Sequence, residues 1–252
     1  LAGGKVNPES WRWVLQLGGI PVALGIAIWF FVKESPGWIE TQVNRTNTNN
    51  ANSKDPSIFR KPYLGVTLVG IALATIPLFG GWGGANWMIP WANEEGPDGL
   101  GAQIAQVRSI TSIIGSALAA AIAMRIGRRT CYFITSLGAL LIGQYTYWFT
   151  VPMDSGFMIS VALWGFFNGI FFGWLPFFLP ELFETKVRAT GAGVSFNFGR
   201  ILTASFIFLT PAVTMYFDSN YAHIGRVTTL VYLLGMIAVL LAPDTSKRDM
   251  DK

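Results

Sequence analysis

Residues 179–191 read LPELFETKVRATG and join two apolar segments that are each long enough to cross a lipid bilayer. The segment before this stretch, from Ser155 to Pro180, contains no charged residue, and the segment after it begins beyond Arg188. The charges therefore lie in a short link, at the position where two membrane helices would reverse direction. This pattern predicts a pair of membrane-spanning helices joined by a charged turn.

The composition of the whole chain also indicates a membrane protein. Hydrophobic residues make up 52% and charged residues 13% of the 252 positions, and the mean hydropathy is +0.44. The charged fraction of ordinary soluble domains is about twice as high. The net charge of +4 arises from scattered loop residues rather than a basic helix face, so no nucleic-acid partner is expected. One cysteine and one histidine leave too few ligands for a haem or zinc site, so no cofactor is expected.

Apolar runs of about 20 residues recur along the chain, as membrane-spanning helices require. They predict an all-α integral membrane fold with seven transmembrane helices: one helix, a polar linker and then six helices. The predicted spans are roughly 13–33, 63–91, 100–124, 131–151, 156–180, 188–217 and 225–243. The corresponding division is 1–38 for the first helix and its flanks, 39–62 for the linker, 63–246 for the six-helix bundle and 247–252 for the tail.

Basic residues are concentrated in alternate loops. The first, third and fifth loops and the C-terminal tail carry most of the loop Lys and Arg residues, whereas the second loop carries Glu94, Glu95 and Asp98 and no base. Because Lys/Arg bias sets the orientation of membrane helices, the linker 39–62 and the C-terminus are expected on the cytoplasmic side. The expected location is the plasma membrane, which in a bacterium is the inner membrane.

Short motifs stand at four of the predicted helix ends: residues 34–36 (ESP), 125–129 (RIGRR), 180–191 (PELFETKVRATG) and 243–245 (PDT). In this order they resemble the major facilitator superfamily from helix six to helix twelve, in its sugar-porter-like and metabolite:proton symporter branches. The resemblance implies two six-helix bundles that rock about a central cavity, of which this chain would supply helix six and the second bundle. Five further helices, the missing N-terminal half, are then expected upstream of Leu1.

The resemblance also implies a set of charged gating residues on the cytoplasmic side, which holds the two bundles together when the cavity faces outward. Its members here are Glu34, Arg125, Arg128, Arg129, Glu181, Arg188 and Asp244. The alternative is that these are solvated charges that set membrane orientation and contribute little as pairs. The latch interpretation is favoured for Glu181 and Arg188. Both stay open for the three arginines of 125–129, because Met124 stands where the family motif has an acid.

Arg108 is the most informative single residue. It lies about eight residues into the third predicted span, or about 12 Å along a helix at roughly 1.5 Å per residue, which is too deep for exposure to lipid. The hydrophobic parts of the predicted spans contain no Asp or Glu to pair with it. Its partner is therefore a carboxylate of the missing half, water, backbone carbonyls or an anionic substrate.

Four further residues are candidates for substrate binding together with Arg108. Trp82 and Asn86 lie in the second predicted span, and Trp164 and Asn168 in the fifth, each pair amid glycines. Tryptophan and asparagine can give a cavity stacking faces and a few hydrogen bonds. The alternative is an interfacial aromatic belt with close packing at small residues.

The residues 87–90, Trp-Met-Ile-Pro, resemble the end of helix seven in organic-acid symporters. With the family resemblance they imply secondary active transport of a small metabolite, an organic anion, by proton-coupled alternating access. The expected partners are the substrate, a proton, the lipid bilayer and the missing half. Alternatives are a sugar or polyol transporter of the same superfamily, and a non-transporting sensor or scaffold derived from one.

Two other classes of membrane protein do not fit the sequence. A retinal protein needs a lysine in the middle of a span, and every lysine here falls at a helix end or in a loop. An intramembrane enzyme needs a nucleophile with its base, a carboxylate pair or metal ligands inside the membrane, and no predicted span contains such a set. The protein is therefore not expected to be an enzyme.

Overall fold

The computed structural model describes residues 12–33, 39, 57–243 and 245. The chain divides into two compact units, Leu1–Asp55 and Pro56–Lys252. Most of the predicted linker 39–62, the tail 247–252 and two predicted gating residues, Glu34 and Asp244, lie outside the described residues. The division into helix, linker, bundle and tail therefore stays a prediction.

Two short helices form most of the described part of the first unit: α1, Arg12–Gly18, and α2, Ile20–Phe31. They lie within the predicted span 13–33 and are separated by Gly19. The side chains of Trp29 and Phe31 are 84% and 85% exposed. Apolar surface of this extent is typical of contacts with lipid or with another protein surface.

The second unit is built from helices, and no strand occurs among its described residues. Two of its segments are irregular, a π-helical turn at Gly80–Gly84 and a short 3₁₀ turn at Ala85–Trp87. The α-helices are α3 Leu64–Phe79, α4 Met88–Glu95, α5 Leu100–Ile126, α6 Arg128–Phe149, α7 Ser155–Glu181, α8 Arg188–Ile207, α9 Thr210–Tyr216, α10 Tyr221–Thr228 and α11 Val231–Leu241.

Four helical stretches of the described residues are long and apolar enough to cross a membrane: Leu64–Glu95, Leu100–Ile126, Ser155–Glu181 and Tyr221–Leu241. The pair α8 and α9, bent by 48°, makes a fifth if it is one span. The all-α membrane fold predicted from the sequence is confirmed, whereas the number of spans meeting this criterion is four or five rather than seven.

The other two predicted spans are also helical. The helix α6 has 22 residues, but it carries buried polar side chains, including Thr135, Ser136 and Thr146, which lower its hydropathy. The helix α2 is apolar but has only 12 residues, because the chain turns at Gly19. A membrane helix needs about 20 residues. The sequence therefore predicted helices at both positions. It did not reveal the break at Gly19 or how far the polar side chains lower the hydropathy of α6.

Glycines bring α5 and α7 into close contact. Gly165, Gly169 and Gly173 recur every four residues along α7 and face the backbone of α5 without room for a side chain between them. Such small-residue stripes let membrane helices approach closely and gain van der Waals contact. The α5 residues that they meet are Arg108, Ser112 and Ser116.

Two glycines set the ends of α5. Gly99 and Gly127 have φ values of +86° and +87°, a backbone conformation that a side chain strains. Gly127 alone separates α5 from α6, and its N–H closes the last turn of α5 by donating to the carbonyl of Ala123. As a result Arg128 is the first residue of α6.

Candidate functional site

A cavity of about 410 Å³ opens between the π-helical turn, α5 and α7, and we call it the Arg108 cavity. Its lining side chains mix a cation, an amide, hydroxyls and aromatic rings. They come from Gly81, Trp82, Arg108, Ser109, Ser112, Ile113, Asn168 and Phe172. This size and mixture are typical of a small-molecule site, in which a few polar groups orient a ligand against apolar walls.

The π-helical turn positions one wall of the Arg108 cavity. Four of the five residues of Gly80–Gly84 are glycines, which favour departures from regular helix. Gly80 packs against the ring of Tyr232, where no side chain would fit. Trp82, the remaining residue of the turn, is 55% exposed and faces the cavity.

Arg108 is held by a neutral partner. Its Nη2 donates to Oδ1 of Asn86 at 2.7 Å, whereas its Nη1 is buried and has no hydrogen-bond partner among the described residues. An amide oxygen satisfies one donor but does not neutralise the guanidinium charge. A buried donor without a partner is costly, and the cost is larger for a charged group. The site therefore has an unmet demand for an acceptor, preferably an anionic one.

Asn168 presents the complementary group. Its side chain is buried, its Nδ2 donates to the carbonyl of Trp164 at 3.3 Å, and its Oδ1 has no hydrogen-bond partner among the described residues. The same residue lines the Arg108 cavity. One cavity thus combines a cationic donor and an acceptor that both lack a partner within the described ranges.

The structure brings four of the five predicted substrate-binding residues together and places the fifth elsewhere. Trp82, Arg108 and Asn168 line the cavity, and Asn86 holds Arg108. Trp164 is fully buried in the aromatic core, where its Nε1 donates to the Tyr232 hydroxyl at 3.3 Å and its ring packs edge-on against Tyr147. Trp164 therefore does not line the Arg108 cavity, and its role in substrate binding stays a prediction.

Among the predicted gating residues, Arg128 and Glu181 form an ion pair. Two guanidinium nitrogens of Arg128, Nε and Nη2, donate to the two carboxylate oxygens of Glu181 at 3.3 and 3.2 Å. The carboxylate also accepts from the Thr245 hydroxyl at 2.8 Å. Glu181 is buried, so the carboxylate is held in a fixed arrangement that joins the start of α6 to the end of α7.

The three other described gating residues have different surroundings. Arg129 donates to the carbonyls of Val239 and Leu240 at 3.2 and 2.6 Å, and so caps the C-terminal end of α11. Arg125 is exposed at the end of α5. The Nε of Arg188 donates to the Phe183 carbonyl at a long distance of 3.5 Å. In the described part of the chain, Arg129 therefore binds backbone carbonyls, whereas Arg128 binds the Glu181 carboxylate.

Sequence reasoning did not assign a role to Arg226. Its Nε donates to the Tyr147 carbonyl at 2.8 Å, and its guanidinium lies 3.9 Å above the ring of Trp148. It lines a second cavity, of about 540 Å³, together with acidic residues such as Glu94 and Asp154. The only signal in the sequence was a basic residue at the outer end of a predicted span, where the other outer loops carry few bases.

Comparison with known proteins assigns the family. The model of the Major Facilitator Superfamily matches residues 1–206, which is most of the chain. The protein therefore belongs to the major facilitator superfamily, as the short motifs predicted. No solved structure matches the chain.

Curated relatives of this chain are named as transport proteins. The cis,cis-muconate transport protein of Acinetobacter baylyi is 25% identical over 89% of this chain and 54% of its own length. The sialic acid transporter NanX of Escherichia coli is 24% identical over 75% of this chain and 46% of its own. The glucose transporter GlcP of Staphylococcus epidermidis is 24% identical over 97% and 62%. The chain thus spans about half the length of these relatives.

Proposed function

We propose that this chain forms the second half of a secondary transporter that moves a small organic anion across the plasma membrane. The observation that carries the proposal is Nη1 of Arg108, a buried cationic donor without a partner in the described residues, at the wall of a cavity of about 410 Å³. A substrate carboxylate would supply the missing acceptor and the missing negative charge. Two of the relatives are named for transport of muconate and sialic acid, both of which carry carboxyl groups.

Proton coupling and alternating access belong to the same proposal. None of the side chains that line the Arg108 cavity in the described part of the chain is a carboxylate. The proton carrier is therefore proposed to lie in a preceding half, whose bundle would close the other side of the cavity. The lipid bilayer and that half are the proposed partners.

Transport of an organic anion can be tested in liposomes containing the full-length protein, with an imposed proton gradient and phenylacetate, succinate and glucose as probes. We expect saturable uptake of at least one of the two acids. Arg108→Gln should lower kcat/KM for that acid by about 50-fold, because a charge-assisted hydrogen bond is lost. Arg60→Gln is the matched control, since Arg60 is exposed and lies four residues before α3. Equal acid uptake by the Arg108→Gln variant would contradict the proposal.

A sugar or polyol is the second candidate substrate. It is supported by the exposed face of Trp82 and by the amide of Asn168 in the same cavity, because sugars bind through aromatic stacking and hydrogen bonds. Uptake of glucose without uptake of either acid would favour this candidate. Equal sensitivity of glucose uptake to Arg108→Gln and Arg60→Gln would then show that the cation is not needed.

The gating role is a separate proposal. We propose that the Arg128–Glu181 pair and Arg188 form part of a latch that changes partners as the cavity alternates between the two sides of the membrane. Glu181→Ala or Arg188→Ala in the full-length protein should impair turnover more than surface expression. Wild-type turnover in both variants would remove the latch.

The proposed membrane orientation places the linker 39–62 and the C-terminus in the cytoplasm. The chain has a single cysteine, Cys131, which is buried, so labelling sites can be introduced on a Cys131→Ser background. A cysteine at Ser53 should react with an impermeant thiol reagent only after the cells are opened. A cysteine at Asp98 in the acidic second loop should react in intact spheroplasts. The reverse pattern would overturn the orientation.

A further inference from the structure

We infer that Asn168 makes the Arg108 cavity selective for organic anions that also carry a hydrogen-bond donor, such as hydroxy acids, over the same acids without that donor. The inference rests on the proposed function, because it names the substrate class of the same site. The names of the muconate, sialic acid and glucose relatives do not show whether a substrate of this chain needs such a donor.

A hydrogen bond within α7 orients the side-chain amide of Asn168. Its Nδ2 donates to the carbonyl of Trp164, four residues earlier in α7. Reversal of the amide would place Oδ1 against that carbonyl oxygen, and two acceptors repel. Trp164 is fully buried and is itself held by its hydrogen bond to Tyr232. In this orientation Nδ2 faces the Trp164 carbonyl and Oδ1 points away from it.

The acceptor Oδ1 lacks a hydrogen-bond donor in the part of the chain that the structure describes. Asn168 is 6% exposed, and no described residue donates to this oxygen. The oxygen is buried in the structure and faces Gly81, where a Cβ would lie 3.3 Å from Oδ1, so only a residue without a side chain leaves space beside it for a ligand group. Buried polar atoms in native proteins nearly always have a partner. A group that enters the cavity is the partner that this arrangement lacks.

The two unpaired groups of the cavity define a pattern. Nη1 of Arg108 requires an acceptor and Oδ1 of Asn168 requires a donor. An unsubstituted carboxylate satisfies the first and repels the second, whereas a hydroxyl or N–H on the same molecule satisfies the second. Trp82, Ile113 and Phe172 supply apolar walls for the rest of the molecule. The substrate class is therefore a hydroxylated or N–H-bearing organic anion with an apolar part.

Matched acids that differ by one hydroxyl test this inference. Mandelate is compared with phenylacetate, and malate with succinate, as competitors for uptake and as ligands in thermal-shift titrations of the purified full-length protein. For at least one pair, we expect the hydroxy acid to bind about tenfold more tightly, as one hydrogen bond to a buried acceptor allows. Equal affinity for both members of each pair, or preference for the acids without a hydroxyl, would overturn the inference while leaving anion transport intact. Failure of all four acids to bind would instead count against the proposed function and the inference together.

Substitutions in the Arg108 cavity test which residue causes the preference for hydroxy acids. Asn168→Ala should reduce the preference within the pair to about twofold or less, by weakening the hydroxy acid while the other acid changes little. Arg108→Gln should weaken both acids together. Gly81→Ala, which adds a methyl group beside Oδ1, is an independent way to block the acceptor should Asn168→Ala fail to fold, and it should also narrow the preference. An unchanged preference in both Asn168→Ala and Gly81→Ala would show that Asn168 is not the selective group.

Discussion

Arg128 and Arg108 are two half-buried arginines of the same helical unit with opposite surroundings. Arg128 makes two hydrogen bonds to a buried carboxylate, so its charge is neutralised within the protein. Arg108 makes one hydrogen bond to a neutral amide and keeps one buried nitrogen without a partner among the described residues. The pairing at Arg128 is expected to stabilise the fold, whereas the incomplete pairing at Arg108 is the basis of the proposed anion site.

The two arginines have a similar backbone setting but different hydrogen-bond acceptors. Both residues follow glycine-determined geometry: Gly127 sets the start of α6 at Arg128, and the glycines of α7 set the distance to the backbone at Arg108. What differs is the neighbouring acceptor, a carboxylate in one case and an amide in the other. Exchange of these two acceptors should exchange the properties of the two arginines.

The largest effect is expected from Glu181→Gln, which gives Arg128 a neutral partner. The change removes the charge that the guanidinium and the Thr245 hydroxyl bind, and it should lower the free energy of unfolding by about 2 kcal/mol. Chemical unfolding of the full-length protein in detergent would measure this loss. Glu184→Gln is the control, because Glu184 is exposed and accepts only from Tyr63 in the hydrogen bonds described. Similar stability of the two variants would show that the charged partner of Arg128 does not stabilise the fold.

Asn86→Asp is the reverse exchange and gives Arg108 a charged partner. Because an internal carboxylate would neutralise the guanidinium, the variant should gain about 1 kcal/mol of stability. The same carboxylate would compete with an anionic substrate, so affinity for the transported acid should fall by at least about tenfold. Thermal unfolding and uptake assays on one preparation would measure both quantities. A variant that loses stability without losing affinity would contradict the assignment of Arg108 as the anion site.

Arg129→Gln should have a smaller effect than Glu181→Gln. Arg129 caps the end of α11 through two backbone carbonyls and has no carboxylate partner among the described residues, so it resembles neither of the two compared arginines. Loss of the cap should lower the free energy of unfolding by about 1 kcal/mol, or roughly 2–4 °C in Tm for a chain of this size. Turnover per folded molecule should be unchanged. A turnover defect without a change in Tm would instead favour a gating role for Arg129.

Arg108→Gln should change stability least. The variant removes a buried charge whose partner is neutral, so its free energy of unfolding should stay within about 0.5 kcal/mol of the wild type, or rise. The combination of unchanged stability and lost acid uptake is the signature of a residue kept for binding. Destabilisation comparable to that of Glu181→Gln would show that Arg108 is structural.

The long helices of the second unit could be predicted from the sequence because hydrophobic runs report them directly. The predicted spans 100–124 and 156–180 correspond to α5 and α7 almost residue for residue. The breaks within other spans could not be predicted. The span 188–217 bends by 48° between α8 and α9, at residues that are apolar like their neighbours.

The candidate site was predicted in part. The depth of Arg108 and the lack of an intramembrane acid identified it, but its partner is an amide 22 residues earlier, brought close by an irregular turn that hydropathy does not reveal. Trp164 was predicted to line the cavity because it stands with Asn168 amid glycines. The helix α7 is apolar on all sides, so its sequence does not distinguish the face toward the core from the face toward the cavity. The gating residues Glu34 and Asp244 stay predictions, since they lie outside the described residues.

The number of residues in the turn at Gly80–Gly84, as well as their identity, sets the direction in which the next helix presents its side chains. Each residue of an α-helix advances the chain by roughly 100° around the axis. Deletion of one glycine from this turn would therefore rotate the following helix by about that angle and carry Asn86 away from Arg108. When this chain is aligned with other members of the major facilitator superfamily, a one-residue gap at this position is therefore expected to change which side chain faces Arg108, even if every residue of the cavity is identical.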